Sequence, residues 1–371
     1  MYISEQEVFR VLDEMLPDTP VSISSEVLPE LMEYERTITT VANSYIKPQV
    51  SRYLNNLLNS LRGKTKHLRV LRSDGGLSSV SLANRFPVTL ALSGPAGGVS
   101  GVASVVAAKT AYKNLITLDM GGTSTDVALI ENGTPRIRRE TTIGDLIVKA
   151  PSVDVRTVGA GGGSIASVPE VTKALRVGPQ SSGADPGPAC YGKGGHKATV
   201  TDANAVLGYL PEYLLGGAFK LDLKAARAAV QNIADDLDIE VHEAAEGILK
   251  VANETMYGAL RLVSVEQGFD PRDFSLVAFG GAGPLHANAL GKLLHAFPVI
   301  IPPSPGVLCA WGDATTILRH EVSTTFIRVL ANINKEEILD AYEGLAAKAT
   351  KVMREEQGVP EDKQVISFPS I

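Results

Sequence analysis

A stretch of eight residues constrains the fold of this chain more than any other. Asp119-Met-Gly-Gly-Thr-Ser-Thr-Asp126 lies between two apolar runs, 114–120 and 126–131, that contain β-branched residues. A double glycine between two such runs predicts a strand, a tight turn and a second strand. The sequence therefore predicts a β-hairpin whose turn carries polar side chains and is flanked by two acidic residues.

The residue types in this turn suit a phosphate group. Gly121 and Gly122 allow backbone N–H groups to face an anion, as in other anion-binding turns. The hydroxyls of Thr123, Ser124 and Thr125 offer further hydrogen-bond donors. We take these five residues as candidates for binding the phosphates of a nucleotide cofactor.

The two flanking carboxylates are the candidate catalytic residues. Asp119 ends an apolar strand, and its carboxylate can hold Mg²⁺ through water because that ion prefers oxygen ligands and keeps much of its hydration. Asp126 can position the turn or a water molecule. A plain hairpin with polar caps is the alternative interpretation. A nucleotide-phosphate loop is favoured because one short turn combines two glycines, three hydroxyls and two acids.

A second glycine-rich turn is Phe279-Gly-Gly-Ala-Gly-Pro-Leu-His286, which follows an apolar run and precedes a helical pattern. Gly280, Gly281 and Ala282 would let an adenosine lie against the backbone. By itself this pattern favours an ordinary strand-to-helix turn of an α/β fold. Its value as an adenosine contact comes from its partnership with the hairpin.

Composition narrows the class of protein. The 371 residues suffice for two or three domains. With 35 Lys and Arg against 41 Asp and Glu, the net charge of −6 provides no basic stripe, so nucleic acid is not an expected partner. The sequence lacks a run of about 18 apolar residues and begins with an acidic amphipathic segment, so neither a membrane span nor a signal peptide is expected. Cys190 and Cys309 are too few for a disulfide framework. We predict a cytoplasmic protein.

Apolar periodicity and turn residues predict the order of elements. We expect helices over 4–16, over 33–61 with a bend or a break at Pro48, and over 335–356. Strands are expected over 21–27 and 320–330. Strands and helices interleave without the period of a barrel, which favours an α/β domain with a mixed sheet flanked by helices. Two glycine-rich segments, 159–164 and 181–195, are predicted to be loops that line a site.

Eight phrases, in one order along the chain, resemble the hydantoinase A and 5-oxoprolinase family, whose relatives include N-methylhydantoinase A and the acetone carboxylase β subunit. They are TVANSYIKPQVSRYL, LSGPAGGVSG, LDMGGTSTDVALI, TVGAGGGSIA, VGPQSSGADPGPACYG, TVTDANAVLG, AFGGAGPLHA and PPSPGVLCAWG. The likeness runs from about Thr40 to Asp313.

This resemblance implies the actin, hexokinase and sugar-kinase ATPase fold, which is ribonuclease H-like, with this chain supplying its second half and connecting helices. It divides the chain into three segments. Residues 1–110 would be a connecting helical and mixed α/β segment. Residues 111–330 would form the ATPase-like domain with the phosphate hairpin and the adenosine motif, and 331–371 would begin a C-terminal region.

The chain departs from the family pattern in two ways. Members carry a further Asp-x-Gly-Gly-Thr-x-Thr-Asp turn in an N-terminal domain, and this sequence contains the pattern once. We therefore expect a fragment or a split gene product that lacks that domain and the C-terminal end. Members usually have histidine at the position of Arg156, and arginine cannot replace a histidine ligand because it stays protonated and only donates.

Several residues near that departure are candidates for other roles. Asp154 is a candidate metal ligand beside Asp119, which leaves room for a second divalent metal. The alternative is an Asp154 to Arg156 pair on one face of an exposed strand. Asp185 and Asp202 lie near the long loop without a defined role, and a buried or screened thiol is favoured for Cys190.

The resemblance also implies a reaction. A cyclic amide such as a hydantoin or 5-oxoproline would be opened by ATP-dependent hydrolysis through a phosphorylated intermediate, with ATP and Mg²⁺ as cofactors. A hydantoinase B-like subunit and a separately encoded N-terminal half are the expected partners, and the isolated chain is expected to be inactive. Two alternatives stay open: the β-type subunit of an ATP-dependent ketone carboxylase, and a nucleotide-binding assembly module without catalysis.

Overall fold

The chain combines long helices with many short strands. The computed structural model describes residues 2–329 and 333–368. The helices are α1 (Tyr2–Met15), α2 (Ser24–Val27), α3 (Glu33–Leu61), α4 (Val80–Arg85), α5 (Ser93–Val102), α6 (Val200–Val206), α7 (Leu223–Leu237), α8 (Val241–Val263), α9 (Gly283–Leu294), α10 (Leu308–Thr315) and α11 (Lys335–Glu355). None of these helices is both long and apolar enough to cross a membrane, as far as the described residues go.

The strands lie between α3 and α10. They are β1 (Arg69–Leu71), β2 (Leu77–Ser79), β3 (Leu115–Met120), β4 (Thr125–Glu131), β5 (Thr134–Pro135), β6 (Ile137–Arg138), β7 (Thr141–Ile143), β8 (Leu146–Val148), β9 (Ser152–Val153), β10 (Val155–Val158), β11 (Ser164–Ser167), β12 (Arg176–Ser181), β13 (Tyr213–Leu214), β14 (Phe219–Lys220), β15 (Ser275–Phe279) and β16 (Val299–Ile300).

Two compact units alternate along the sequence. The first unit comprises Met1–Ala96, Ile137–Val153 and Thr316–Ile371, and the second comprises Gly97–Arg136 and Asp154–Thr315. Each unit draws on separated segments, whereas the resemblance suggested three consecutive ones. That three-segment division stays a prediction, and the parts of it at 330–332 and 369–371 lie outside the described residues.

The second unit is built on a six-stranded mixed sheet in the order β10-β4-β3-β15-β16, with β5 added to β4. The strands β10, β4 and β3 are antiparallel, and β15 runs parallel to both β3 and β16. On one face, fully buried residues such as Leu118 and Val127 join residues of α7, α8 and α9 in one apolar core. The expected α/β class with a mixed sheet is therefore confirmed.

The strand directions bring several loops to one edge of this sheet. Because β3 and β15 are parallel, the turns that follow Met120 and Phe279 lie at the same edge. Because β4 is antiparallel to both β3 and β10, the loop that follows Val158 lies there as well. Ligands of α/β sheets bind beyond the carboxyl ends of parallel strands, so this edge is where a site is expected.

In the first unit, α3 continues unbroken through Pro48, so a break there is wrong, and a bend there stays a prediction. Proline removes one backbone donor, but both halves of the helix are anchored by apolar contacts. Before Pro48, Ile38 and Ile46 pack in a cluster with buried Val88 and Val148. After it, buried Leu54 packs in a separate cluster. Packing on both sides outweighs the loss of one hydrogen bond.

The predicted strand over 21–27 is also wrong, because its second half forms the short helix α2. The carboxylate of Glu5 accepts hydrogen bonds from the Ser25 N–H at 2.8 Å and from the Ser24 hydroxyl at 2.7 Å. An acidic group at a helix N-terminus satisfies donors that the helix leaves free. A contact from α1, which is distant in sequence, therefore decides the conformation of this segment.

The predicted strand over 320–330 is absent over 320–329, and residue 330 lies outside the described residues. Backbone pairing with β2 ends just before it, where the Arg319 N–H donates to the Leu77 carbonyl at 3.2 Å. Beyond that point side chains hold the segment, since the Ser323 hydroxyl donates to Glu30 Oε1 at 2.6 Å. The helices predicted over 4–16 and 335–356 are confirmed by α1 and α11.

Asp202 in α6 fixes the long glycine-rich loop of the second unit. Its fully buried carboxylate accepts from the N–H and the hydroxyl of Thr199, which completes a capping box. It also accepts from the N–H groups of Ala189 at 3.2 Å and Cys190 at 2.8 Å. One side chain thus joins the start of α6 to the loop that precedes it.

We predict that Asp202→Ala lowers the free energy of unfolding by about 3 kcal/mol or more, because it leaves several buried N–H donors without an acceptor. Asp222→Ala is the matched control. Asp222 is an exposed cap of α7 that accepts from the Ala225 N–H, and its loss should cost about 1 kcal/mol. Urea denaturation of both variants measures the difference, and equal losses would contradict the anchoring role.

Candidate functional site

The predicted hairpin is present between β3 and β4. Asp119 and Asp126 are directly paired across the two strands, so their side chains project from the same face of the sheet. The Gly121 N–H donates to the Ser124 carbonyl at 3.0 Å and closes the turn. Gly122 is exposed at its tip. The turn thus combines two neighbouring carboxylates with accessible backbone.

The three hydroxyls of the turn have different surroundings. Thr125 is fully buried, and its hydroxyl donates to the Ala160 carbonyl at 2.5 Å, so it holds the loop after β10. Thr123 is exposed and Ser124 is half-buried. Thr123 and Ser124 are therefore the two hydroxyls whose positions suit contact with a ligand, whereas Thr125 already has a structural partner.

The glycine-rich loop 161–163 packs directly against the backbone of the hairpin turn. The N–H of Gly162 donates to the Gly121 carbonyl at 3.0 Å, and that of Gly163 donates to the Gly122 carbonyl at 2.6 Å. A Cβ on Gly161 would lie 2.7 Å from backbone atoms of Gly122 and Thr123. Only glycine permits this approach, so the loop fixes the turn before any ligand binds.

The second glycine-rich motif lies beside the hairpin. Phe279 pairs with Asp119 in parallel register, and the Ala282 N–H donates to the Met120 carbonyl at 2.9 Å. Gly280 has a φ of +81°, and a Cβ there would lie 2.4 Å from Asp119 Oδ1. Gly281 is exposed with open space around it. The structure therefore brings the two predicted motifs together at one edge.

The two carboxylates are held in an unfavourable electrostatic setting. Burial raises the pKa of Asp119, although a hydrogen bond from the Cys309 thiol to Oδ2 at 3.2 Å opposes the rise. Burial also raises the pKa of Asp126, and the charge of Asp119 adds to that rise. Thr157 donates to Asp126 Oδ1 at 2.5 Å. In the same cluster, burial and nearby carboxylates raise the pKa of the Cys309 thiol to about 12.

This setting fits a divalent cation. Two carboxylates that burial and mutual repulsion disfavour would both be relieved by a positive charge. Within residues 2–329 and 333–368, no cluster of three or more His, Cys, Asp or Glu side chains can enclose a metal ion. A hydrated Mg²⁺, which is bound by one or two carboxylates together with substrate phosphates, needs no such cluster.

Asp154 does not reach this cluster. It precedes β10, three residues before Thr157, an offset of about 10 Å along the strand. Side-chain alternation places Asp154 and Arg156 on the opposite face of the sheet from Thr157 and Asp126. Asp154 is buried and accepts from Gln267 Nε2 at 3.5 Å. The role of Asp154 as a metal ligand stays a prediction. A metal ion bound there would occupy a different site from one bound by Asp119.

The weaker candidates of the long loop have surroundings that argue against a catalytic role. Cys190 is fully buried, and burial together with the Asp202 carboxylate raises the pKa of its thiol, which agrees with an unreactive cysteine. Asp185 is exposed. A separate cavity of about 560 Å³ lies within the first unit and contains none of the predicted site residues.

The match to a known family covers most of the chain. The model of the hydantoinase/oxoprolinase family matches residues 36–322. The chain belongs to the hydantoinase/oxoprolinase family. The resemblance drawn from the eight phrases is thereby confirmed, and the matched range includes every residue of the hairpin and of the second glycine-rich motif.

Named members of the family are similar over long stretches. The caprolactamase subunit alpha of Pseudomonas jessenii is 37% identical over 358 residues, which cover 95% of this chain and 51% of that protein. The 5-oxoprolinase 1 of Arabidopsis thaliana is 38% identical over 312 residues, covering 79% and 24%. The acetophenone carboxylase gamma subunit of Aromatoleum aromaticum is 36% identical over 331 residues, covering 87% and 44%.

Solved structures agree with the family. The ATP-dependent caprolactamase from Pseudomonas jessenii matches with a TM-score of 0.80 and 36% identity, covering 95% of this chain and 52% of that one. Nucleotide-free acetone carboxylase matches with a TM-score of 0.79 and 29% identity, covering 97% and 52%. The chain therefore spans about half, or less, of the length of these hydantoinase/oxoprolinase relatives.

Sequence reasoning missed two residues that contact the hairpin carboxylates. Thr157 contacts Asp126 because the register of β10 against β4 places them opposite each other. Alternation along a strand gives the face of a residue, but it does not give the register. Cys309 contacts Asp119 although 190 residues separate them. Its only signal was its position within the family-like phrase PPSPGVLCAWG.

We predict that Gly280→Ala disrupts the site, because the added Cβ would meet Asp119 Oδ1 and the Met120 carbonyl at a positive φ. Strain of this kind should lower the free energy of unfolding by about 2 kcal/mol or more and displace the carboxylate. Gly281→Ala is the control, since a Cβ there has open space. Its unfolding free energy should change by less than about 0.5 kcal/mol. Urea denaturation tests both, and a neutral Gly280→Ala would refute the close approach.

We also predict that Asp119→Asn changes the pH dependence of stability in metal-free buffer. The folded-state pKa values of Asp119 and Asp126 are raised, so the wild type should lose stability as the pH rises from about 4 through those values. The variant lacks one charge and should lose less between pH 4 and 7.

The control for that measurement has the opposite sign. Arg272 lowers the pKa of exposed Asp270 to about 2, so Asp270 stabilises the fold once it is ionised. Asp270→Asn should therefore be slightly less stable than the wild type at pH 7 and similar to it at acid pH. Denaturant titrations at pH 4 and pH 7 measure the free energy of unfolding of both variants and of the wild type. A parallel pH response of the Asp119→Asn variant and the wild type would count against the buried like-charge pair.

Proposed function

We propose that this chain supplies the phosphate-binding half of an enzyme that opens a cyclic amide with ATP. The observation that carries the proposal is the shared edge of the sheet. There the hairpin between β3 and β4 and the turn between β15 and α9 lie side by side, joined by the Ala282 to Met120 hydrogen bond. A phosphate turn beside a glycine-rich strand-to-helix turn is the arrangement expected of the actin-like ATPase fold, and it supports our assignment of that fold to the second unit.

Each part of this edge has a chemical use. The exposed backbone of Gly122 and the hydroxyls of Thr123 and Ser124 would bind phosphate oxygens. Gly281 and Ala282 would leave room for the adenosine beside them. Asp119 would hold a hydrated Mg²⁺, which supplies neutralisation of the charge that develops on the transferred phosphoryl group. Asp126, fixed by Thr157, would orient a water molecule or the turn itself.

The reaction can be written with all atoms accounted for. The amide carbonyl oxygen attacks the γ-phosphorus, and the bond from that phosphorus to the ADP oxygen breaks. A first water molecule then adds to the activated carbon, and the ring C–N bond breaks, with the nitrogen leaving as a protonated amine and an acyl phosphate remaining. A second water molecule attacks the acyl carbon, and phosphate leaves with the former carbonyl oxygen. One lactam, one ATP and two water molecules thus give the open-chain amino acid, ADP and phosphate. The chain's own residues bind and orient the reactants and hold the cation, which is the usual protein contribution to phosphoryl transfer.

The names of the relatives favour a lactam substrate without defining it. Caprolactamase and 5-oxoprolinase are named for cyclic amides, whereas acetophenone carboxylase and acetone carboxylase are named for ketones. Carboxylation of a ketone is therefore the second candidate function, because both lactam hydrolysis and ketone carboxylation use an activated carbonyl. Two of these relatives are named as subunits, which supports a partner of the hydantoinase B type.

An oxygen-labelling experiment separates these alternatives in the assembled enzyme that contains this chain. With a lactam carrying ¹⁸O at its carbonyl, our mechanism predicts that the label appears in inorganic phosphate and that an open-chain amino acid forms. A carboxylase would instead yield a carboxylated ketone from labelled bicarbonate. If ATP is not consumed with either substrate class, the chain is an assembly module and the proposal is wrong.

We predict that Asp119→Asn abolishes turnover in the assembled enzyme while the fold persists. Asparagine keeps the size of the side chain but loses the charge that attracts Mg²⁺, and such losses cost about a hundred-fold or more in rate. Asp270→Asn is the control, because that residue is exposed and pairs with Arg272 outside the site. Turnover and melting temperature are measured together. Near-normal turnover of Asp119→Asn, or its unfolding, would overturn the assigned role.

A further inference from the structure

Helices α5 and α10 meet at glycines within the second unit. A Cβ on Gly312 of α10 would lie 1.9 Å from the Gly97 carbonyl oxygen of α5. A Cβ on Gly101 would lie 2.6 Å from the Leu308 carbonyl oxygen. Distances this short require glycine on both helices, so α10 has one closely defined position against α5.

That position places Cys309, near the start of α10, against the sheet. Its Sγ lies 3.2 Å from the point that a Cβ on Gly98 would occupy, and the same point is 2.8 Å from the Phe279 ring. The Gly280 N–H donates to the Pro305 carbonyl at 3.0 Å, which ties the segment before α10 to the second glycine-rich turn. Cys309 is therefore fixed from the helix side and from the sheet side.

The Asp119 carboxylate is confined on both oxygens. Oδ1 lies against Gly280, where a Cβ would approach it to 2.4 Å. Oδ2 lies 3.2 Å from the Cys309 Sγ and accepts the S–H hydrogen bond. A carboxylate on a free side chain rotates between orientations, whereas this one is restricted by contacts from two separate elements. We propose that Cys309 is a positioning residue that fixes the Asp119 carboxylate for the divalent cation.

The chemistry of a thiol suits this task. A thiol is neutral and a weak donor, so it orients one oxygen while leaving lone pairs of both oxygens for the hydrated cation. A lysine or arginine in its place would neutralise the carboxylate and repel the metal. Groups that orient a metal-binding side chain commonly contribute ten-fold or more to metal affinity. This inference rests on the proposed function, because it assumes that Asp119 serves a cation.

Infrared spectroscopy of the metal-free chain tests the contact itself. The S–H stretching band lies in a region free of other protein absorptions, and the chain has only two cysteines. Asp119→Asn should shift the Cys309 band, because an amide is a weaker acceptor than a carboxylate. The band of fully buried Cys190 is the internal reference and should not move. An unchanged Cys309 band would overturn the proposed hydrogen bond without involving the metal or the reaction.

Metal affinity then tests the positioning role. Mn²⁺ replaces Mg²⁺ as a paramagnetic probe, and its binding with ATP to the assembled enzyme is measured by electron paramagnetic resonance. Cys309→Ala should weaken Mn²⁺ binding about ten-fold, whereas Cys309→Ser, which retains a donor, should stay close to the wild type. If the alanine variant fails to fold, Cys309→Val, which is close in size and has no donor, takes its place with the same expected loss.

The outcomes separate this inference from the proposed function. If Asp119→Asn loses Mn²⁺ while Cys309→Ala and Cys309→Ser both bind it as the wild type does, the cation site stands and the positioning role is wrong. If the wild type binds no Mn²⁺ with ATP, the proposed function fails and this inference fails with it. A loss shared by the alanine and serine variants would show that shape, rather than hydrogen bonding, is what Cys309 supplies.

Discussion

The second unit holds two carboxylates opposite each other at the end of a largely buried sheet. The packing around them has to offset the cost of burying two like charges. Asp119 and Asp126 are paired across β3 and β4, and both are disfavoured by burial. Like charges directly opposite each other destabilise a sheet. The opposite face of the sheet compensates, because Leu118 and Val127 belong to one large apolar core with residues of α6, α7, α8 and α9. A pair of like charges in an otherwise well-packed sheet is expected where the residues serve a function.

Close packing around these acids explains why glycine recurs in segments that are distant in sequence. Gly161 is pressed against the hairpin backbone, Gly280 against the Asp119 carboxylate, and Gly312 against α5. Each glycine belongs to a different phrase of the sequence, and each permits an approach that a Cβ would prevent. These phrases therefore describe one assembled cluster rather than independent loops.

Patterns among neighbouring residues predicted the elements whose conformation those residues determine. The hairpin and the second turn were predictable, because alternation and double glycine specify a strand and its turn. The helix α2 was not, because Glu5 supplies its N-terminal contact from another helix. Continuity of α3 through Pro48 depends on packing that proline chemistry does not reveal. The register that pairs Thr157 with Asp126 and the contact of Cys309 with Asp119 arise only from tertiary structure.

Under the proposed function, the same pair of carboxylates would link folding to cation binding. In the absence of a cation the sheet must hold two charges in an unfavourable setting, and a bound cation would remove that cost. A ligand that binds only the folded form raises the apparent free energy of unfolding by mass action. The contact with Gly280 confines the Asp119 carboxylate, and the hydrogen bond from Thr157 holds the Asp126 carboxylate, so both oppose a movement that would relieve the repulsion. Under the proposed function, rigid packing would convert this repulsion into affinity for a cation, because the packing opposes relaxation of the site.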